Sequence, residues 1–137
     1  MKTLVLIPCY NEEANIVRVV ERLKSTCPDV DYLVINDCSR DRSEEILREN
    51  GYNYLTLPVN LGIGGGVQCG YRYARANGYD ITVQMDGDGQ HDPADLNKVV
   101  GPVARGKWIC ASAAALSQKR AFRPALCGAS ASTFSVG

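Results

Sequence analysis

The apolar positions of this chain come in two kinds of block: short unbroken runs, and longer stretches where they recur every three or four residues. Thr3 to Pro8 is an unbroken run, as expected of a parallel strand buried on both faces. Asn11 offers a helix cap, and from Glu12 to Lys24 the residues Ile16, Val19, Val20 and Leu23 keep helical spacing until Pro28 ends it. Tyr32 to Ile35 predicts a second buried strand. The polar loop Asn36-Asp37-Cys38-Ser39 follows, then a helix over Asp41 to Glu49 closed by Asn50-Gly51. Tyr54 to Pro58 predicts a third strand, Asn60 to Gly66 a glycine-rich loop, and Val67 to Ala76 a third helix stopped by Asn77-Gly78. Ile81 to Met85 predicts a fourth strand that delivers Asp86-Gly87-Asp88-Gly89-Gln90. Asp92-Pro93 then caps a fourth helix running to about Val103.

Strand and helix thus alternate with short links, which predicts an open, doubly wound α/β fold with a mainly parallel sheet. Ligands of such sheets bind beyond the carboxyl ends of the strands. Each polar motif of the chain falls at such an end.

Composition narrows the classes. The 137 residues suffice for one domain with a core, and 45% apolar with 22% charged residues is ordinary for a soluble globular chain. Lysine plus arginine balance aspartate plus glutamate at 15 each, which argues against a nucleic-acid binder. No apolar run approaches the roughly 18–20 residues needed to span a bilayer. Leu4 to Ile7 is too short for a signal-peptide core, so the expected location is cytoplasmic. Cys9, Cys27, Cys38, Cys69, Cys110 and Cys127 form no C-x-x-C pair, and His91 is the single histidine; reduced, mostly buried thiols are expected in place of a zinc site.

Four features carry candidate chemistry. Asp86 and Asp88, separated by one glycine after a buried strand, can converge on one hard divalent cation, and Gln90 adds a neutral oxygen. The competing reading is an acidic surface turn. Asp37 ends the second strand, where a carboxylate either accepts hydrogen bonds from a base or ribose or forms an Asx turn capping the next helix. The glycines from Gly62 to Gly66 either present backbone N–H groups to a phosphate or let a helix pack closely on the sheet. Their spacing is neither a dinucleotide fingerprint nor a P-loop. His91, beside acidic residues, reads as a structural hydrogen-bonding residue more readily than as a base.

Taken in order, Ile7-Pro8-Cys9-Tyr10-Asn11-Glu12-Glu13, Ile35-Asn36-Asp37-Cys38-Ser39-Arg40-Asp41, Asn60-Leu61-Gly62-Ile63-Gly64 and Met85-Asp86-Gly87-Asp88-Gly89-Gln90-His91 resemble family 2 glycosyltransferases. The resemblance is strongest to the branch of dolichyl-phosphate mannose synthase and bacterial polyprenyl-phosphate sugar transferases, and it covers residues 1 to about 105. It implies a Rossmann-like GT-A fold, a UDP- or GDP-sugar donor, a lipid-phosphate or saccharide acceptor and inversion at the sugar carbon. It also implies Mg²⁺ or Mn²⁺ as cofactor and peripheral contact with the cytoplasmic membrane face. Pro8, Tyr10, Asn11 and Glu12 would line the nucleoside pocket, with Asp37 on the base and Asn60 and Gly62 beside the nucleotide. Asp86 would face the ribose and metal, and Asp88 and Gln90 would complete the metal ligands. The acceptor is already an anionic nucleophile in this branch, so no catalytic base is implied. The chain has Asn36-Asp37-Cys38 where many members have Asp-Asp-Gly, which keeps Asp37 and alters the loop. A flavodoxin-like or nucleotidyltransferase domain shares the α/β pattern but would not account for all four motifs in order.

The pattern breaks after Gly106. An apolar strand ending in Gly-Ser-Arg is expected, whereas residues 106–137 are rich in Ala and Ser without a clear period. Alanine codons begin GC, so a frame displaced by one base reads each as Gly, Ser, Arg or Cys, and Ala113-Ala114-Ala115 then encodes Gly-Ser-Arg. A frameshift near Gly106 is the expectation drawn from this. It would leave the donor half exposed where later elements belong, with marginal stability, aggregation and little or no transfer. A catalytically inactive nucleotide-binding remnant is the alternative function it raises.

Overall fold

The computed structural model describes residues 1–86 together with Pro93, Leu96 and Val100. Seven elements alternate along it: β1 (Thr3–Cys9), α1 (Ile16–Thr26), β2 (Asp31–Asn36), α2 (Ser43–Glu49), β3 (Tyr54–Thr56), α3 (Gly62–Ala76) and β4 (Ile81–Gln84). The strands form one parallel sheet in the order β3-β2-β1-β4. The expected parallel α/β architecture is therefore present.

The two-residue period of β1 explains why the sheet is covered on both faces. Val5, Ile7 and Cys9 point to one side, where they pack with Ile16, Val19, Val20 and Leu23 of α1 and Leu47 of α2. Leu4 and Leu6 point to the other side and meet Leu33, Ile35, Leu57 and Ala74 of α3. Leu96 and the partly buried Val100 join the first cluster. The rest of the expected fourth helix lies outside the described residues, as does the segment after Gly106.

The starts of α1 and α3 depart furthest from those expected. α1 begins at Ile16, not Glu12, and Asn11 does not cap it. Asn11 adopts a left-handed backbone (φ 54°), and the Glu12 carbonyl accepts from the N–H groups of both Asn15 and Ile16, a turn that delays the helix. α3 begins at Gly62, not Val67, so the glycine-rich loop is largely helix. Glycine lowers helix propensity by only about 1 kcal/mol per residue, and tertiary packing overrides that. Gly70 shows the packing most clearly, since a Cβ built there would lie 2.5 Å from Ile35 Cδ1. The thiols also depart from expectation. Among the described cysteines, all free, only Cys9 is fully buried, while Cys27, Cys38 and Cys69 are partly exposed.

Candidate functional site

The parallel register places the described candidates at one edge of the sheet. Pro8 pairs with Ile35 and Cys9 with Asn36, so the chain leaves β1 and β2 side by side. Asn36 donates from Nδ2 to Thr56 Oγ1 at 3.2 Å and accepts the Leu57 N–H at its carbonyl, which aligns the end of β3 with them. On the other side the Met85 N–H donates to the Leu6 carbonyl, which places Asp86 next to the carboxyl end of β1. Pro8, Asp37, Asn60 and Asp86 thus share the carboxyl edge.

The loops after β1 and β2 are laced to each other by side chains. The N–H groups of Asn11, Glu12 and Glu13 donate to Ser39 Oγ (3.0 Å), Ser43 Oγ (2.9 Å) and Asp41 Oδ2 (3.1 Å). In return, Arg40 and Arg42 donate their N–H groups to Asn11 Oδ1 (2.8 Å) and Glu13 Oε2 (3.0 Å). This reciprocity holds Asn11 in its left-handed conformation, where asparagine is among the better tolerated residues. Glu12 accepts from Asn15 Nδ2 at 2.9 Å, and Tyr10 stands 44% exposed.

Asp37 is 5% exposed. Its N–H donates to the Cys9 carbonyl, and its Oδ1 accepts the Leu61 N–H at 2.7 Å. Its Oδ2 has no partner among the described residues. The Asx-turn reading therefore belongs to Asp41, whose Oδ1 accepts from the Ser43 N–H at the start of α2. Burial pushes the Asp41 carboxyl up, but hydrogen bonds from Ser43 and the Glu13 N–H outweigh it and hold the pKa below the ordinary carboxylate value. Burial also pushes the Cys9 thiol up to about 11, reinforced by Asp41 and Glu12, so it is a protonated core side chain at neutral pH.

Asp86 is partly buried at the end of β4, with its Oδ1 accepting from Gln84 Nε2 at 3.2 Å. Asp88, Gln90 and His91 lie outside the described residues. Among the described residues no three His, Cys, Asp or Glu side chains cluster to hold a metal, and no helix is long and apolar enough to cross a membrane.

Ser43 is the site residue that the sequence reading did not single out. Its hydroxyl is fully buried and accepts the Glu12 N–H 31 residues away. The available signal was Asp41-x-Ser43 at a helix start, where an Asx turn orients the second residue inward. Ser43→Ala is expected to cost about 1–2 kcal/mol, because it leaves the Glu12 N–H without an acceptor. A urea-denaturation midpoint unchanged from the unsubstituted chain would refute that assignment.

The fold has known counterparts. The family model described as Glycosyl transferase family 2 matches residues 4–125, past Gly106 into the Ala- and Ser-rich segment. Polyprenol monophosphomannose synthase of Mycolicibacterium smegmatis is 32% identical over 111 residues, covering 77% of this chain and 42% of that protein. Undecaprenyl-phosphate mannosyltransferase of Micrococcus luteus is 30% identical over 117 residues, covering 82% and 48%. Among solved structures, glucosyl-3-phosphoglycerate synthase from Mycobacterium tuberculosis, in complex with Mn²⁺, UDP-glucose and phosphoglyceric acid, superposes with a TM-score of 0.63. It is 26% identical, with 77% of this chain and 40% of that one covered. The chain therefore spans less than half the length of these relatives.

Proposed function

Because the chain belongs to glycosyl transferase family 2, we propose that its strand ends form the donor site of an inverting transferase that moves a sugar from a nucleoside diphosphate to a lipid phosphate. The observation that carries this is Asp37: a buried carboxylate at the end of β2, one oxygen held by Leu61 and the other without a partner among the described residues. A carboxylate only accepts hydrogen bonds. It therefore suits bases with a ring N–H, uracil or guanine, and disfavours cytosine and adenine, whose corresponding ring nitrogen is itself an acceptor. Pro8, Tyr10, Asn11 and Glu12 form the wall of the nucleoside pocket in this reading, and Asn60 and Gly62 its floor beside α3.

Asp86, with Asp88 and Gln90 following in the sequence, supplies the hard oxygen donors that Mg²⁺ or Mn²⁺ prefers. The partly buried carboxylate of Asp86 at the sheet edge fits such an ion. A divalent cation held by these residues would supply positive charge to offset that of the departing diphosphate. The Mn²⁺ and UDP-glucose named for the M. tuberculosis synthase support a divalent cation beside a nucleotide-sugar donor. The acceptor reading rests on the relatives, whose names specify polyprenol and undecaprenyl phosphates. A phosphate monoester is already anionic, so its oxygen attacks the anomeric carbon as the bond to the diphosphate breaks, without a base in this chain. Such a lipid places the reaction at a membrane surface, on the cytoplasmic side where nucleotide sugars would be drawn upon. The relatives are named as a synthase and a mannosyltransferase, and they lend no support to the inactive-remnant alternative.

Calorimetric titration of the purified chain with UDP and GDP, with and without Mn²⁺, tests the site. Metal-dependent binding of one nucleotide, lost in Asp88→Ala, is expected. A folded chain that binds neither nucleotide contradicts the donor-site reading.

A further inference from the structure

We propose that Asn60 is a positioning residue that acts on base recognition through Asp37; the inference rests on Asp37 as the base contact. Both ends of its amide are engaged. Nδ2 donates to the Asp37 carbonyl at 3.1 Å, and Oδ1 accepts the Gly62 N–H at 3.1 Å. Between them the Leu61 N–H donates to Asp37 Oδ1 at 2.7 Å. Two consecutive residues, Asn60 and Leu61, therefore grip Asp37 by its main chain and its side chain together, while Gly62 holds Asn60. The carboxyl group cannot turn without giving up the shortest of these bonds, which directs Oδ2 to one fixed position.

The ring requires the residue types that are present. An asparagine has a donor and an acceptor at one reach, whereas aspartate would set a second oxygen against the Asp37 carbonyl. Gly62 has φ 73°, a left-handed conformation that strains residues with a Cβ, and it turns its N–H back to Asn60. The grip is long-range, because Asn60 lies 23 residues from Asp37. The β2–β3 pairing, Val34 with Tyr54 through Asn36 with Thr56, brings the two together. A loosened Asp37 would still carry its charge, but it would no longer present Oδ2 at a set distance from the base. The loss should therefore fall on discrimination between bases, while affinity for the diphosphate is kept.

The test compares UDP with CDP, and GDP with ADP, by calorimetry on the full chain in the presence of Mn²⁺. The preferred pair is set by the unsubstituted protein. Asn60→Ala is expected to shrink the preference for the ring N–H base by about three- to ten-fold, with little change for the disfavoured nucleotide. Asn60→Asp, which keeps an acceptor for Gly62 and loses the donor to Asp37, should do the same, and it decides the matter if circular dichroism shows Asn60→Ala unfolded. An equal loss for both nucleotides, or an unchanged ratio, overturns the positioning role while leaving the base reading intact. If the unsubstituted chain binds both members of each pair equally, or if Asp37→Asn keeps the preference, the base reading fails and the role of Asn60 falls with it.

Discussion

Asp37→Ala is expected to lower affinity for the preferred nucleotide by about 10- to 100-fold, the range for losing a hydrogen bond to a charged acceptor. It is also expected to destabilise the fold by about 1–3 kcal/mol, since the Leu61 N–H loses its acceptor at 2.7 Å. Removing a buried carboxylate also relieves its desolvation, which keeps the net cost in that range. Asp37→Asn separates the two effects. The amide oxygen can still accept from Leu61, so stability should change little. The outward group becomes a donor, which suits the ring nitrogen of cytosine or adenine and should weaken or reverse the base preference. Denaturation midpoints and calorimetric titrations on both variants check this. If Asp37→Asn leaves binding and base preference as they were, Asp37 is purely a structural cap for α3.

Gly70→Val is expected to cost about 3 kcal/mol or more, at the upper end for overpacking a tight core. A Cβ at Gly70 would lie 2.5 Å from Ile35 Cδ1 and 2.7 and 2.9 Å from the two Leu6 Cδ atoms. Those atoms are side-chain ends, which could move if they were exposed. Both side chains are fully buried, at 0% exposure, so α3 must shift away from the sheet instead. Gly70→Ala should cost less, about 1–2 kcal/mol, because the better helix propensity of alanine offsets part of the clash. Gly64 is the control: nothing lies within 4 Å of a Cβ there, and Gly64→Ala should stabilise by about 0.5–1 kcal/mol. The damage at Gly70 should also reach the site. Ile35 lies two residues before Asp37, and Leu61 is the N-cap residue of α3, so a displaced helix pulls on the bond between them. A Gly70→Val chain as stable as Gly70→Ala would show that the helix–sheet contact is looser than these distances require.

The alternation of elements was legible in the sequence because strand and helix periods are local properties. β1, β2 and β4 appear within a residue or two of the apolar runs that predict them, and α1 buries Ile16, Val19, Val20 and Leu23 as their spacing requires. The order of the motifs was equally local, and it was enough to indicate the family that the match over residues 4–125 establishes. The starts of α1 and α3 were not legible. Asn11 looks like a cap, and Gly62 to Gly66 look like a loop, until partners from other segments are in place.

The sequence by itself thus determined the parallel α/β plan and gathered the polar motifs at strand ends. Only the tertiary structure decided what each polar side chain holds. The hydrogen bonds that define the site span 23 residues from Asn60 to Asp37, 28 from Asn11 to Ser39 and 31 from Glu12 to Ser43. A side chain with one donor or acceptor can serve a turn, a cap or a ligand equally well. The choice among these is made by which backbone groups the sheet register brings within about 3 Å, a distance no local pattern encodes.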